Sequence, residues 1–243
     1  MTGLLSSRFA LPLVVVAAAL LGAGGMWLAT GHGDGSEVRD YLLAHPEVIP
    51  EAMQKLQDRN TAKVIAANRA DIFAPVGSAW AGNPKGDLTI VEYLDYNCGY
   101  CRASLPIIDQ LIAADPKVRV LYRELPVLSP ESETAARYAI VAARLGKYRA
   151  LHAALYAGGT LTEASMDKAL VTAGLDPAQV KAEAKSPAVD NAIRTNLSLM
   201  RPLGITGTPS WVIGDRVVSS VMSLEAMQAA IADARAAKNA AAS

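Results

Sequence analysis

The stretch DLTIVEYLDYNCGYCRASLPIIDQLIAAD, Asp87–Asp115, holds both cysteines of the 243-residue chain, Cys98 and Cys101. Its first nine residues are apolar at both parities: Leu88, Ile90 and Leu94 on one face, Val91 and Tyr93 on the other. A strand apolar on both faces is a buried central strand. Asn97 can then serve as an N-cap, and Cys98 to about Asp115 reads as a helix. Both cysteines fall in its first turn, where unpaired backbone N–H groups favour an anion. That effect is worth at most about 2 kcal/mol, or roughly 1.5 pKa units, enough to make Cys98 substantially thiolate near neutral pH. Cys101, one turn further in, is expected to be the more buried, resolving thiol. Pro106 removes one ladder hydrogen bond from the same helix, which predicts a kink.

The N-terminus bears on what two cysteines mean. After Arg8, Phe9–Ala29 carries no charge. About 20 such residues are enough to span a bilayer. The flanking charge leaves the N-terminus in the cytoplasm and exports the remainder. Two readings of residues 1–35 stand: an uncleaved signal anchor through residues 9–29, or a signal peptide cut after Ala23-Gly24-Gly25. Both place the rest of the chain in the periplasm, and no cysteine follows the apolar run to make it a lipoprotein. Outside the cytoplasm disulfides form and persist. A Cys98–Cys101 bond closes almost no loop, so it is a poor staple. A zinc site needs about four ligands, and His32, His45 and His152 are scattered. The remaining reading is redox chemistry, with no metal and no cofactor besides the disulfide itself. Lys+Arg and Asp+Glu are equal at 23 each, so no basic excess points to nucleic acid.

Glu92 shares the parity of Ile90 and Leu94 inside the strand that looks buried. An unpaired carboxylate there is costly and has a raised pKa. One reading is an ion pair with a Lys or Arg on a neighbouring strand. The other is a proton acceptor or donor beneath the resolving cysteine.

These residues resemble the thioredoxin superfamily: a strand, then C-x-x-C opening a helix, then Pro106 five residues after the second cysteine, with an acidic residue six before the first. Far downstream, GITGTPSWVIGDRVV (Gly204–Val218) is similar to that family's cis-proline loop and β-hairpin. The resemblance implies a cis bond at Thr208-Pro209, strands at Ser210–Ile213 and Arg216–Val218, and a turn at Gly214-Asp215.

Between the two motifs, Val118–Pro126 reads as a second strand. Helix starts follow at Ser129-Pro130, Thr162-Glu163, Asp176-Pro177 and Ser186-Pro187, each a cap followed by Pro or an acid. The last of these has an apolar pattern at Val189, Ile193, Leu197, Met200 and Leu203. Ser223-Leu224-Glu225 opens a final helix. A helical insert at about 127–203 within an α/β thioredoxin fold resembles the DsbA family of periplasmic thiol–disulfide enzymes. The resemblance covers roughly residues 77–236 and implies catalytic roles for Cys98, Cys101, Thr208 and Pro209. The dipeptide Gly99-Tyr100 and Thr208 before the proline resemble the disulfide isomerase DsbC rather than the strongly oxidising members. Fewer interactions on the Cys98 thiolate make the pair less oxidising, which favours isomerase or reductase activity over oxidation.

Residues 36–72 form a helical segment ahead of a catalytic part at 73–243. Ser36–Asn60 reads as two helical pieces broken near Pro46, the second with a stripe of Val48, Ala52 and Leu56 beside Ile49 and Met53. It resembles the N-terminal segment of the suppressor of copper sensitivity protein C (ScsC) group, which implies self-association through residues 36–60. The alternative is a juxtamembrane spacer folded on its own domain. Residues 60–75 look able to hold the helix away from the catalytic part. The expected partners are misfolded or reduced exported proteins and a membrane thiol reductase or oxidase, with no nucleic acid. Two further readings stay open: a monomeric disulfide oxidase, and a copper-tolerance protein binding copper through the two soft thiolates.

Overall fold

The computed structural model describes residues 35–240. The apolar segment at residues 9–29 lies outside the described residues, and among those described no helix is long and apolar enough to cross a membrane. The described residues from Gln57 onward make one compact unit, and Leu56 with the described residues before it belongs to another.

The sheet grows around the strand predicted from both-face apolarity. That strand, β2 (Leu88–Leu94), follows a short β1 (Trp80–Gly82) and pairs in parallel with β3 (Val118–Glu124). Antiparallel β4 (Ser210–Ile213) and β5 (Arg216–Val218) complete the order β1-β3-β2-β4-β5. The β4–β5 turn places Gly214 at φ +60°, where an added Cβ would also stand 2.8 Å from Ala234 Cβ. β1 has no counterpart in the sequence reading.

Each face of the sheet has its own core. Leu88, Ile90 and Leu94 of β2 lie in one apolar cluster, while Val91 and Tyr93 lie in the other, as the parities predicted. The first cluster receives α4 (Gly99–Ala114), α5 (Pro130–Arg144) and α10 (Leu224–Ala240). α4 continues through Pro106. The insert supplies α6 (Tyr148–Ala157), α7 (Glu163–Thr172), α8 (Pro177–Glu183) and α9 (Pro187–Met200). Its helix starts fall where capping residues stand. Ser129 and Thr162 accept from the N3 backbone, and Asp176 accepts from Ala178. Such caps are worth about 1 kcal/mol each.

Two expectations change. In α9 the buried positions are Val189, Ile193, Asn196 and Leu199, and Leu197 is 40% exposed. The inward stripe passes 196 and 199, so a polar residue holds the place assigned to an apolar one. The second concerns the N-terminal helices: α1 (Gly35–Ala44), α2 (Val48–Ala67) and α3 (Arg69–Phe73), the first two breaking near Pro46 as predicted. Residues 60–75 are no free spacer. Ile65 and Ile72 are fully buried in the second cluster with Val91, Tyr93 and Leu121. Arg123 of β3 fastens this segment: its guanidinium donates to the carbonyls of Asp71 (2.6 Å), Ile72 and Ala74. These acceptors lie where a helix end leaves carbonyls unpaired and attracts a cation.

Candidate active site

β2 delivers the chain into the site and α4 carries it away. Between them, the Asp95 carboxylate accepts from the backbone of Asn97 at 2.8 Å, Val127 at 2.9 Å and Leu128 at 3.0 Å. One buried side chain thus joins the loop before the cysteines to the loop entering the insert. Asn97 is therefore engaged in a turn and does not cap the helix. The N-cap is Cys98 itself, with extended backbone and Sγ accepting from Cys101 N–H at 3.4 Å. Sulfur takes the place a serine or aspartate oxygen takes elsewhere.

The exposure contrast expected of the two thiols is small: Cys98 is 5% exposed and Cys101 1%. The loop at Thr208 covers Cys98, whose thiol donates to the Thr208 carbonyl at 3.1 Å. Electrostatics separates the pair instead. The Cys98 thiol is lowered to about 5, foremost by the hydrogen bond from Cys101, against burial, with Thr208 and the Cys101 and Tyr100 backbone assisting. Cys101 is raised far above an ordinary thiol by that same hydrogen bond, by burial and by the charge of Glu92. At neutral pH the site therefore holds a thiolate at Cys98 and a thiol at Cys101.

Thr208-Pro209 is a cis peptide and leads directly into β4. Thr208, Pro209, Tyr100, Ser220 and Val221 line a cavity of about 350 Å³ beside the cysteines. Tyr100 is 68% exposed at its edge. Gly99 has nothing within 4 Å of where a Cβ would stand, so its lack of a side chain leaves open space there.

Glu92 is 1% exposed, flanked in register by Tyr122 of β3 and Trp211 of β4. No Lys or Arg among the described residues pairs with it, so the ion-pair alternative lacks its partner. Burial first, then Glu124 and Cys98, push its carboxyl well above the usual range.

Glu124, Tyr96, Tyr148, His152 and Tyr156 escaped the sequence reading. Glu124 ends β3 and accepts from Tyr148 Oη at 2.8 Å and Tyr96 Oη at 3.3 Å. Tyr96 Oη also meets His152 Nδ1 at 3.1 Å, and Tyr156 Oη donates to the Asp95 carbonyl at 3.0 Å. The signal that could have found Glu124 is the one that singled out Glu92: a carboxylate in an otherwise apolar strand. Among the described residues no three His, Cys, Asp or Glu side chains gather as a metal-binding group.

Comparison with known proteins gives two family matches: DSBA-like thioredoxin domain over residues 89–232, and Copper resistance protein ScsC N-terminal domain over residues 35–63. A thioredoxin-like oxidoreductase from Silicibacter pomeroyi DSS-3 is 38% identical, with TM-score 0.66, over 69% of this chain and 98% of that one. The thiol-disulfide exchange protein alpha-DsbA2 from Wolbachia pipientis is 27% identical, TM-score 0.67, over 73% and 97%. Proteus mirabilis ScsC in a transitional conformation is 25% identical, TM-score 0.64, over 83% and 93%. A curated relative, a Na(+)/H(+) antiporter of Salinispora tropica, is 26% identical over 156 residues, of which the match spans only 24% of that protein's length.

Proposed function

Since the chain belongs to the DsbA-like thioredoxin family of thiol–disulfide oxidoreductases, in its ScsC group, we propose that it is a periplasmic disulfide isomerase or reductase acting through Cys98 and Cys101. One observation carries the thiol–disulfide exchange that either role requires: Cys98 Sγ accepts from Cys101 N–H at the start of α4, at the edge of an open cavity lined by Thr208 and Pro209. The Cys98 thiolate attacks one sulfur of a substrate disulfide. A mixed disulfide forms and the other substrate sulfur leaves as a thiolate. Two exits follow. A second substrate thiolate attacks the mixed disulfide, forms a new substrate disulfide and returns Cys98 as thiolate, with no net oxidation. Alternatively, Cys101 gives its proton to Glu92 and attacks Cys98. The enzyme disulfide then closes, the substrate leaves reduced by two electrons, and a membrane thiol reductase must recharge the site.

In this reading Thr208 presents its backbone to an extended substrate strand, and Tyr100 and Val221 offer exposed apolar contact. α1 and the first part of α2 join copies of the chain, which raises the effective concentration of thiolates around one substrate. The test compares reactivation of a scrambled multi-disulfide substrate with oxidation of the same substrate in reduced form, alongside a glutathione redox titration. Reactivation faster than oxidation, with a potential near that of the glutathione pool, supports the isomerase. The opposite ranking supports the disulfide oxidase. That second reading has an observation of its own: a Cys98 thiol at about 5 stabilises the reduced protein, which makes the pair more oxidising. Copper bound by the two thiols without turnover on either substrate would support the copper-binding reading.

A further inference from the structure

Glu124 and Glu92 are buried on the same face of the sheet. The parallel register sets Glu92 opposite Tyr122 and Glu124 opposite Leu94, so the carboxylates stand one diagonal step apart on adjacent strands. Glu124 Oε1 is held by Tyr148 and Tyr96, and Tyr96 lies two residues before the attacking cysteine. Glu124 Oε2 is buried without a partner among the described residues. Glu124, Tyr122, Tyr148 and Asn196 line a cavity of about 10 Å³, the room of about one water. The attack and exchange steps at Cys98 and Cys101 leave this arrangement unused.

We propose that Glu124 is a positioning residue for proton transfer at Cys101: its negative charge, held by Tyr148 and Tyr96, governs when Glu92 can accept the Cys101 proton. The inference rests on the reading of Glu92 as that acceptor. Two like charges this close in a buried site resist ionising together. The tyrosine hydrogen bonds favour the ionised form of Glu124, so Glu124 gives up its proton first and Glu92 keeps its own. A protonated Glu92 delays closure by Cys101. The mixed disulfide then stays open for a second substrate thiol, which is the isomerising exit.

The surrounding groups leave this pair as the titrating centre. From α6, Tyr148 and Tyr156 are raised by burial and stay neutral, and His152 is lowered by burial to about 3 and stays neutral as well. From β3 and the β2–α4 loop, Tyr122 and Tyr96 are likewise raised by burial. Burial raises Glu124 to about 8, with the charge of Asp95 adding to it and the hydrogen bonds of Tyr148 and Tyr96 opposing it. Arg149 and Asp109 act on this region through Tyr122, with opposite signs. Once Cys98 is in a mixed disulfide its thiolate no longer titrates. Glu92 and Glu124 are then the carboxyls among those named, both raised above the usual range by burial first.

The experiment measures closure of the Cys98–Cys101 bond in the full chain. Reduced protein meets excess peptide disulfide in a single turnover, and expulsion of the peptide thiol is followed from about pH 5 to about pH 10. Wild type should show an acid limb, and E92Q should lose it. E124Q should move the limb down by about one unit, which is about tenfold faster closure at a pH on the limb. Y148F removes a hydrogen bond that favours charge on Glu124. It should move the limb in the same direction by less, and it carries the test if E124Q does not fold. If E92Q removes the limb while E124Q and Y148F leave its midpoint in place, the role of Glu124 is overturned and that of Glu92 stands. A slower rate at an unchanged midpoint overturns the role of Glu124 equally. If E92Q keeps the limb, Glu92 is not the acceptor and both ideas fall.

Discussion

The Cys98 thiol points at the carbonyl oxygen of Thr208, Sγ to O 3.1 Å, across 110 residues of sequence. Two motifs distant in the chain thus meet at one sulfur. The thiol form donates to that carbonyl. The thiolate form must instead be held by donors, and the largest is Cys101.

This ordering predicts the outcome of alkylation. In the reduced protein Cys98 should be alkylated with a midpoint near pH 5, and Cys101 should stay unreactive at neutral pH. C101A removes the main donor to the thiolate and should raise the Cys98 midpoint. C101S leaves a hydroxyl donor, should raise it less, and should trap mixed disulfides with substrates. Equal reactivity of both thiols in the wild type at neutral pH would refute the assignment of roles.

Thr208 also lowers the Cys98 thiol, after Cys101, while its Oγ1 is buried without a hydrogen-bond partner in the reduced protein. T208V keeps the size and loses the hydroxyl. Its alkylation midpoint should move upward, by less than in C101A. An unchanged midpoint would restrict the influence of Thr208 to its backbone.

Stability should depend on pH and on redox state together. Burial, the larger cause, and Asp95 hold Glu124 at about 8 in the folded protein against 4.5 for an ordinary glutamate. The stability tied to a group raised in this way is fully present below about pH 4.5 and is lost as pH rises through 8. Glu92 acts in the same direction. Cys98 acts oppositely: lowered from 9.0 to about 5, it contributes stability above pH 9 that is lost as pH falls through 5. Oxidation to the disulfide removes the Cys98 contribution and leaves the carboxylates. Denaturant melts should therefore show the oxidised protein losing stability from about pH 5 to about pH 8, the reduced protein losing less, and oxidised E124Q losing less than oxidised wild type. A flat profile for the oxidised wild type would mean that neither buried carboxyl is raised.

Short-range signals made much of this fold legible. Ser129, Thr162 and Asp176 mark helix starts because the bonds that define them close within three residues. Leu88–Leu94 declares its burial because each face is visible in the alternation. What stayed hidden depends on partners far away. β1 is three residues long, and only its pairing with β3 makes it a strand. Glu124 is one polar residue at a strand end until the insert brings Tyr148 against it. Asp95 looks like a loop residue until Val127 and Leu128 arrive to donate to it. Cys98 displaced Asn97 as the cap because Asp95 had already drawn the Asn97 N–H into a turn.

The N-terminal helices carry the last prediction. Tyr41, Leu43, Ile49, Met53 and Leu56 are each about half exposed or more. Apolar side chains gathered on a solvated helical segment mark an interaction surface. The buried positions begin at Ile65, beyond the stripe, within the unit that starts at Gln57. Deletion of residues 36–56 should therefore spare Ile65, Ile72 and the Arg123 fastening that holds them. The shortened protein should be monomeric by light scattering and should still reduce model disulfides at the wild-type rate. Reactivation of a scrambled substrate should fall severalfold, because one thiolate would replace several near each substrate. A protein beginning at Ser36 that is already monomeric would refute self-association. A shortened monomer with full reactivation would separate isomerase chemistry from assembly.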